Sequence, residues 1–177
     1  LPLDLPKYLG EGIKTKLVPI VSSARAASLL CQKWKQNFNY LPDAFVVEGP
    51  KAGGHLGFKA HDLDNENNKL ENLVSDVLRV TEDMKAKYGK DIPVIAAGGI
   101  FDGEDMYQIM ERGAAAVQLG TRFVATEECD ASIEFKNAIV QAKEEDVRII
   151  KSPVGMPGRT IFNKFLSEAN EGKRRPE

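Results

Sequence analysis

The chain has 177 residues, 42% hydrophobic and 28% charged, the composition of a globular domain with a sizeable core. Its 24 basic and 26 acidic residues leave a formal charge of -2, which argues against the basic footprint of a nucleic-acid or anionic-membrane binder. No apolar run approaches the roughly 18 residues that a bilayer span needs. Cys31 and Cys129 form neither a disulfide framework nor a metal-like cluster, so no metal is expected and a reducing, cytoplasmic compartment is.

LPLDLPKYLGEG opens the chain without an initiator Met or a signal-peptide pattern and reads as loop. Either a piece of a longer protein or a trimmed chain would begin this way. LVPIV (17–21) is a short apolar run, as expected of a strand covered on both faces. Ser22 and Ser23 can cap a helix over 25–37, with Ala27, Leu30 and Trp34 on one face. Residues 44–47 are the second strand, and the stretch GPKAGGHLGFKAHDLDNEN after it is a long loop. Leu70, Leu73, Val74, Val77, Leu78, Thr81 and Met84 then recur at helical spacing. A third strand at 93–97 ends at Gly98 and Gly99. Asp102 caps a helix holding Met106, Ile109 and Met110. The fourth strand is 115–119, followed by a turn and a helix over 131–143. In the tail, KSPVGMPGRTIFNKF leads from Ile149 and Ile150 into a short helix over 160–169, and GKRRPE is expected to fray.

Strand alternating with helix, with no hairpin signal, is the pattern of a parallel α/β fold. Glycines and polar groups follow the carboxyl ends of three strands: Gly49 to Gly57, Gly98 with Gly99, and Gly120 with Thr121. That rim favours a (β/α) barrel over an open sheet, which would gather its ligand groups at one crevice. A closed barrel takes roughly 250 residues, and four units are visible. The expectation is half a barrel.

Two glycine stations, AAGGIFDG and QLGTRF, lie in adjacent units, where exposed amides would favour a phosphate. Gly98 and Gly99 could equally form only a tight turn. Neither GxGxxG nor a P-loop is present. His55, flanked by glycines, suits a general acid or base; a plain surface histidine is the alternative. His61, among Asp62, Asp64 and Asn65, reads as a solvated loop face. Lys51 and Arg122 flank glycine stations and could neutralise a phosphate, or Arg122 could pair within the barrel. Glu48, the last residue of its strand, could bind a ring amide or a sugar hydroxyl, or remain solvated.

Together, VVEGPKAGGHLGF, IPVIAAGGIFDG, VQLGTRFVATEEC and KSPVGMPGR resemble the flavin-dependent nitronate monooxygenase family, with the flavin-containing enoyl-acyl-carrier-protein reductases as relatives on the same plan. The resemblance runs over about 18–165. It implies a (β/α)8 barrel with FMN at the carboxyl ends of its strands, this chain being strands five to eight of one FMN-binding domain, with a loop and short helix at 151–170. Gly98, Gly99, Gln118, Leu119, Gly120 and Thr121 match positions that hold the flavin phosphate. Gly53, with Gly54 beside it, matches the isoalloxazine side, and His55 matches the active-site histidine. Glu48 stands where many members have glutamine and completes the expected flavin-binding set. The implied activity is oxidation of alkyl nitronates, or of nitroalkanes, with oxygen to carbonyl compounds and nitrite. An NAD(P)H-dependent enoyl reductase is the alternative, and an inactive flavin-binding or structural protein the third reading. The expected partners are the small-molecule nitronate, oxygen and the missing N-terminal half. A homodimer is the other way to cover the exposed strand edges.

Overall fold

The computed structural model describes residues 1–152 and 154–171, so the expected fraying of 172–177 lies outside the described residues. In chain order the elements are β1 (Ile20–Val21), α1 (Ala24–Phe38), β2 (Phe45–Glu48), β3 (Gly54–His55), α2 (Leu70–Tyr88) and β4 (Val94–Ala97). They continue through α3 (Gly103–Glu111), β5 (Ala116–Gln118), α4 (Thr121–Val124), α5 (Ile133–Gln141), β6 (Val147–Lys151), β7 (Pro157–Ile161) and α6 (Lys164–Asn170).

Strands β1, β2, β4 and β5 form one sheet in that order, every neighbouring pair parallel. The helices between them are set by local chemistry. Ser23 caps α1 by accepting from the Ala26 N–H at 3.2 Å, and Asn39, at φ 50°, ends it in the left-handed region. Gly89 ends α2 in the same way at φ 69°. Asp102 and Asp105 make a reciprocal capping box on α3.

Ala27, Leu30 and Trp34 of α1, Leu73, Val74 and Val77 of α2, and Ile109 of α3 share one core with Phe45, Val47, Val94 and Ala96 of the sheet. All three helices therefore cover the same face. Side chains alternate along a strand, so Ile20, Val46, Ile95 and Ala116, which are in register across the four strands, belong to the other face. That face is open at its edges: Ile20 is 52% exposed and Ala116 is exposed. Unreversed strand order with helices on one side is a barrel-like arc. A doubly wound sheet places helices on both faces and reverses its order. The expectation that the first apolar run is covered on both faces is not met in β1, where Ile20 is 52% exposed, whereas Phe45, Val46 and Val47 of β2 are buried on both faces.

A second sheet, of order β3-β7-β6, is antiparallel throughout. It corrects two expectations. The tail contains a β6–β7 hairpin where no hairpin was expected. Residues 160 and 161 belong to β7, so the terminal helix begins only at Lys164, capped by Asn163 accepting from the Leu166 N–H at 3.0 Å. Two smaller differences concern the helices after β5. The helix expected at 131–143 spans Ile133–Gln141 behind a Ser132 cap, and the turn after β5 contains the short α4.

At the amino ends of the strands, Asp43 ties three segments together. Its carboxylate accepts from the Leu17 N–H at 2.9 Å, from the Tyr40 hydroxyl and from Lys90 Nζ at 3.2 Å; Lys90 also donates to the Leu41 carbonyl at 2.7 Å. Burial alone would raise the Asp43 pKa, but the hydrogen bonds from Tyr40, Leu17 and Lys90 prevail and hold it at about 2. A depressed folded-state pKa stabilises above the unfolded value, near 4, and that contribution is lost as pH falls through about 2. Asp43→Asn should therefore cost roughly 1–2 kcal/mol at pH 7. Urea unfolding should show the gap between the two proteins closing toward pH 2. A pH-independent gap would assign the loss to packing instead.

Candidate active site

Strand β2 leads directly into the site. Its last residue, Glu48, is in register with Ala97 of β4, which is in register with Gln118 of β5. Glu48 and Gln118 thus flank a bare Ala97 on the open face at the carboxyl end of the sheet. Partial burial without a partner raises the Glu48 pKa above the usual carboxylate value. That shift stabilises the fold most at low pH and is lost as pH rises through the raised value. Glu48→Gln should remove this pH dependence. Unfolding measured from pH 4 to pH 8 should give a flatter profile for the variant, and parallel profiles would show the carboxyl to be fully solvated.

Beyond Glu48, the Gly49 N–H donates to the Ala97 carbonyl at 2.9 Å, and the Ala52 N–H closes a turn on the Gly49 carbonyl at 3.2 Å. This turn lies against Gly98. A Cβ on Gly98 would stand 3.0 Å from the Gly49 oxygen and 3.1 Å from the Ala52 nitrogen, and Gly98 sits at φ 94°. Gly99, at φ 86°, lies beneath the Lys51 stem, where a Cβ would come within 2.8 Å of Lys51 Cβ. Both positions need glycine for conformation and for space. A Cβ on Gly53 would stand 3.6 Å from Thr121 Oγ1, so the loops after β2, β4 and β5 meet. No backbone N–H of Gly98, Gly99, Leu119 or Gly120 donates to a backbone carbonyl among the described residues.

His55 is exposed in β3, beside Gly54 at φ 76°. Strand β3 pairs with β7, His55 opposite Gly158 and Gly54 opposite Arg159. Arg159 donates from Nη2 to the Pro50 carbonyl at 3.0 Å, across 109 positions of sequence. On the far rim, the Arg122 guanidinium lies 4.2 Å from the centroid of the Phe101 ring. Of the two alternatives for Arg122, an ion pair within the barrel is not found among the described residues, and its guanidinium stacks on this exposed ring.

The structure brings Glu48, Lys51, Gly53, Gly98, Gly99, Gln118, Gly120 and Thr121 to one end of the parallel sheet, and holds Gly54 and His55 there through the small sheet. His61 is exposed beside Asp62 at 3.6 Å and belongs to the loop surface. Cys31 is buried in α1, where burial pushes its thiol up to about 11. No group of His, Cys, Asp and Glu suited to a metal occurs among the described residues. None of their helices is long and apolar enough to cross a membrane. Sequence reasoning singled out neither Arg159 nor Phe101. The only signal for Arg159 was its place in KSPVGMPGR.

A sequence model of the nitronate monooxygenase family matches residues 11–176. The chain is 36% identical over 129 residues to a "Probable nitronate monooxygenase" of Staphylococcus saprophyticus, covering 73% of this chain and 34% of that protein. A Staphylococcus aureus protein of the same name is 35% identical over 134 residues, with the same coverage. Among solved structures, FabK from Thermotoga maritima superposes with a TM-score of 0.68 at 32% identity, over 96% of this chain and 47% of that one. The nitroalkane oxidase of Streptomyces ansochromogenes gives 0.66 at 29% identity, over 89% and 41%. The chain spans about a third of the length of these curated relatives and less than half of the solved ones. With the family match running over nearly all of its residues, the chain belongs to the nitronate monooxygenase family.

Proposed function

We propose that the chain is the C-terminal part of a single FMN-binding (β/α)8 barrel, β1, β2, β4 and β5 being its fifth to eighth strands, in an enzyme that converts alkyl nitronates and oxygen to carbonyl compounds and nitrite. The observation that carries this reading is the meeting of three glycine loops and His55 at one end of a parallel sheet. The open face with its Ile20–Val46–Ile95–Ala116 row, and relatives more than twice as long, support a missing complementary half. That half, rather than a second copy, is the expected cover for the edges β1 and β5. The two free cysteines fit a cytoplasmic protein.

The residues fit an FMN group. Backbone N–H groups of Gly98, Gly99 and Gly120, unused by the protein backbone, with the Thr121 hydroxyl beside them, are suited to a terminal phosphate. Leu119 continues that cradle. Gly53 and Gly54 leave room for a ring to approach, and the Glu48 and Gln118 side chains supply polar partners for ring or sugar groups. When bound, FMN supplies the electron acceptance; the protein supplies orientation and proton handling. His55 would orient a nitronate, and with a neutral nitroalkane it would take the α-proton on an imidazole nitrogen. The protein carrying the whole barrel should purify yellow and release a cofactor with the mass of FMN, not FAD. A folded, colourless protein that takes up no FMN overturns the reading.

A further inference from the structure

His55 does not hold its own place. It belongs to a two-residue strand, and Gly54 beside it has a positive φ. What fixes that strand comes from the far end of the chain. Arg159 pairs with Gly54 through its backbone and reaches the Pro50 carbonyl with Nη2 at 3.0 Å. One residue thereby clasps both ends of the Pro50 to Gly54 loop, from which Lys51 and Gly53 face the glycine rim. The preceding residue, Gly158, leaves space against the imidazole: a Cβ there would stand 3.8 Å from His55 Cδ2. Leu56 extends the brace, its N–H donating to the Pro157 carbonyl at 2.9 Å.

We propose that Arg159 is a positioning residue for His55, acting through the Pro50 carbonyl and the β3–β7 pairing. The inference rests on the assignment of His55 as the proton-handling group. A second observation separates positioning from mere packing. Arg159 Nε is buried and has no hydrogen-bond partner. An unmade hydrogen bond at a buried donor opposes stability. A residue kept only for stability would be better replaced by an apolar side chain of similar reach.

The test uses Arg159→Met and Arg159→Lys in the complete enzyme carrying the whole barrel, with its histidine imidazoles labelled at Cε1 for NMR. His61, on the loop surface, is the internal reference, and His55→Gln assigns the signals. In Arg159→Met the melting temperature should match or exceed wild type and the His61 signal should stay, while the His55 signal shifts or broadens. Turnover of a nitronate should fall about 10- to 100-fold in kcat with KM nearly constant, the expected penalty for misplacing a reacting group. Arg159→Lys, which keeps a donor for the Pro50 carbonyl, should restore the His55 signal and most of kcat. A His55 signal in folded Arg159→Met that superposes on wild type overturns the proposal. If the Met variant does not fold, a displaced His55 signal in folded Arg159→Lys overturns it as well. A displaced His55 signal alongside His55→Ala that turns over normally would leave Arg159 as the clasp and remove His55 from the chemistry.

Discussion

Replacing His55 with Ala in the complete enzyme should leave FMN in place and reduce turnover by on the order of 10²-fold, the lower end of what a positioned general acid or base contributes. Retention of FMN follows from the proposed reading, in which backbone groups at Gly98, Gly99 and Gly120, on loops after β4 and β5, hold the phosphate, whereas His55 is held by β7. The form of the substrate sharpens the test. A neutral nitroalkane must lose its α-proton, and its preformed nitronate has already lost it. If the imidazole is the base, His55→Ala should slow the nitroalkane far more than the nitronate. Equal losses would assign His55 to orienting the nitronate or to balancing its charge. Flavin reduction without oxygen adds an independent reading of the substrate. Reduction by nitronate and indifference to NAD(P)H favours the monooxygenase. Rapid reduction by NAD(P)H, with reoxidation by an enoyl thioester, would establish the reductase in its place.

The parallel sheet was legible because its strands are concentrated apolar runs between strong punctuation. Phe45 to Val47 is bounded by Asp43 and Gly49, and Val94 to Ala97 by Pro93 and Gly98. The α2 stripe was equally clear, since Leu73, Val74, Val77 and Thr81 bury one face. The small sheet was not legible. Strand β7 begins with Pro157 and Gly158, both poor strand formers, and holds a strand only because β3 and β6 flank it. Strand β3 has two residues and gives no periodicity to read. Ile161, Phe162, Phe165 and Leu166 fall at helical spacing, yet Asn163, with φ -141°, divides strand from helix between them.

The candidate site divides along the same line. Paired glycines after strands are visible in any reading of the sequence. Which loops touch is not, because that depends on strand order: Gly53 meets Thr121 across 68 positions only because β4 places β2 and β5 on either side of it. The Arg159 contact with Pro50 lies still further beyond local reading. Such contacts become visible only once two sheets are placed side by side.

Gly98→Ala should be a severely damaging single methyl in the site. The new Cβ must adopt φ 94°, a region that costs an L-residue about 1–2 kcal/mol. It must also stand 3.0 Å from the Gly49 oxygen and 3.1 Å from the Ala52 nitrogen and Cβ. These neighbours have little freedom to move. The Gly49 oxygen is engaged by the Ala52 N–H, and the Gly49 N–H is engaged by the Ala97 carbonyl. Relief therefore has to come from rotating the Gly98–Gly99 peptide, which turns the amides away from the proposed phosphate position. FMN affinity should fall on the order of 10²-fold, or about 3 kcal/mol, with a smaller loss of thermal stability. Gly103→Ala, in the first turn of α3, is the matched control: its φ is not in the left-handed region, and nothing lies within 4 Å of the added methyl. It should fold like wild type and retain FMN within about tenfold. Fluorescence titration of apoprotein with FMN measures both. Wild-type affinity in Gly98→Ala would mean that the Gly98–Gly99 turn only connects β4 to α3, and the phosphate would then have to be held elsewhere.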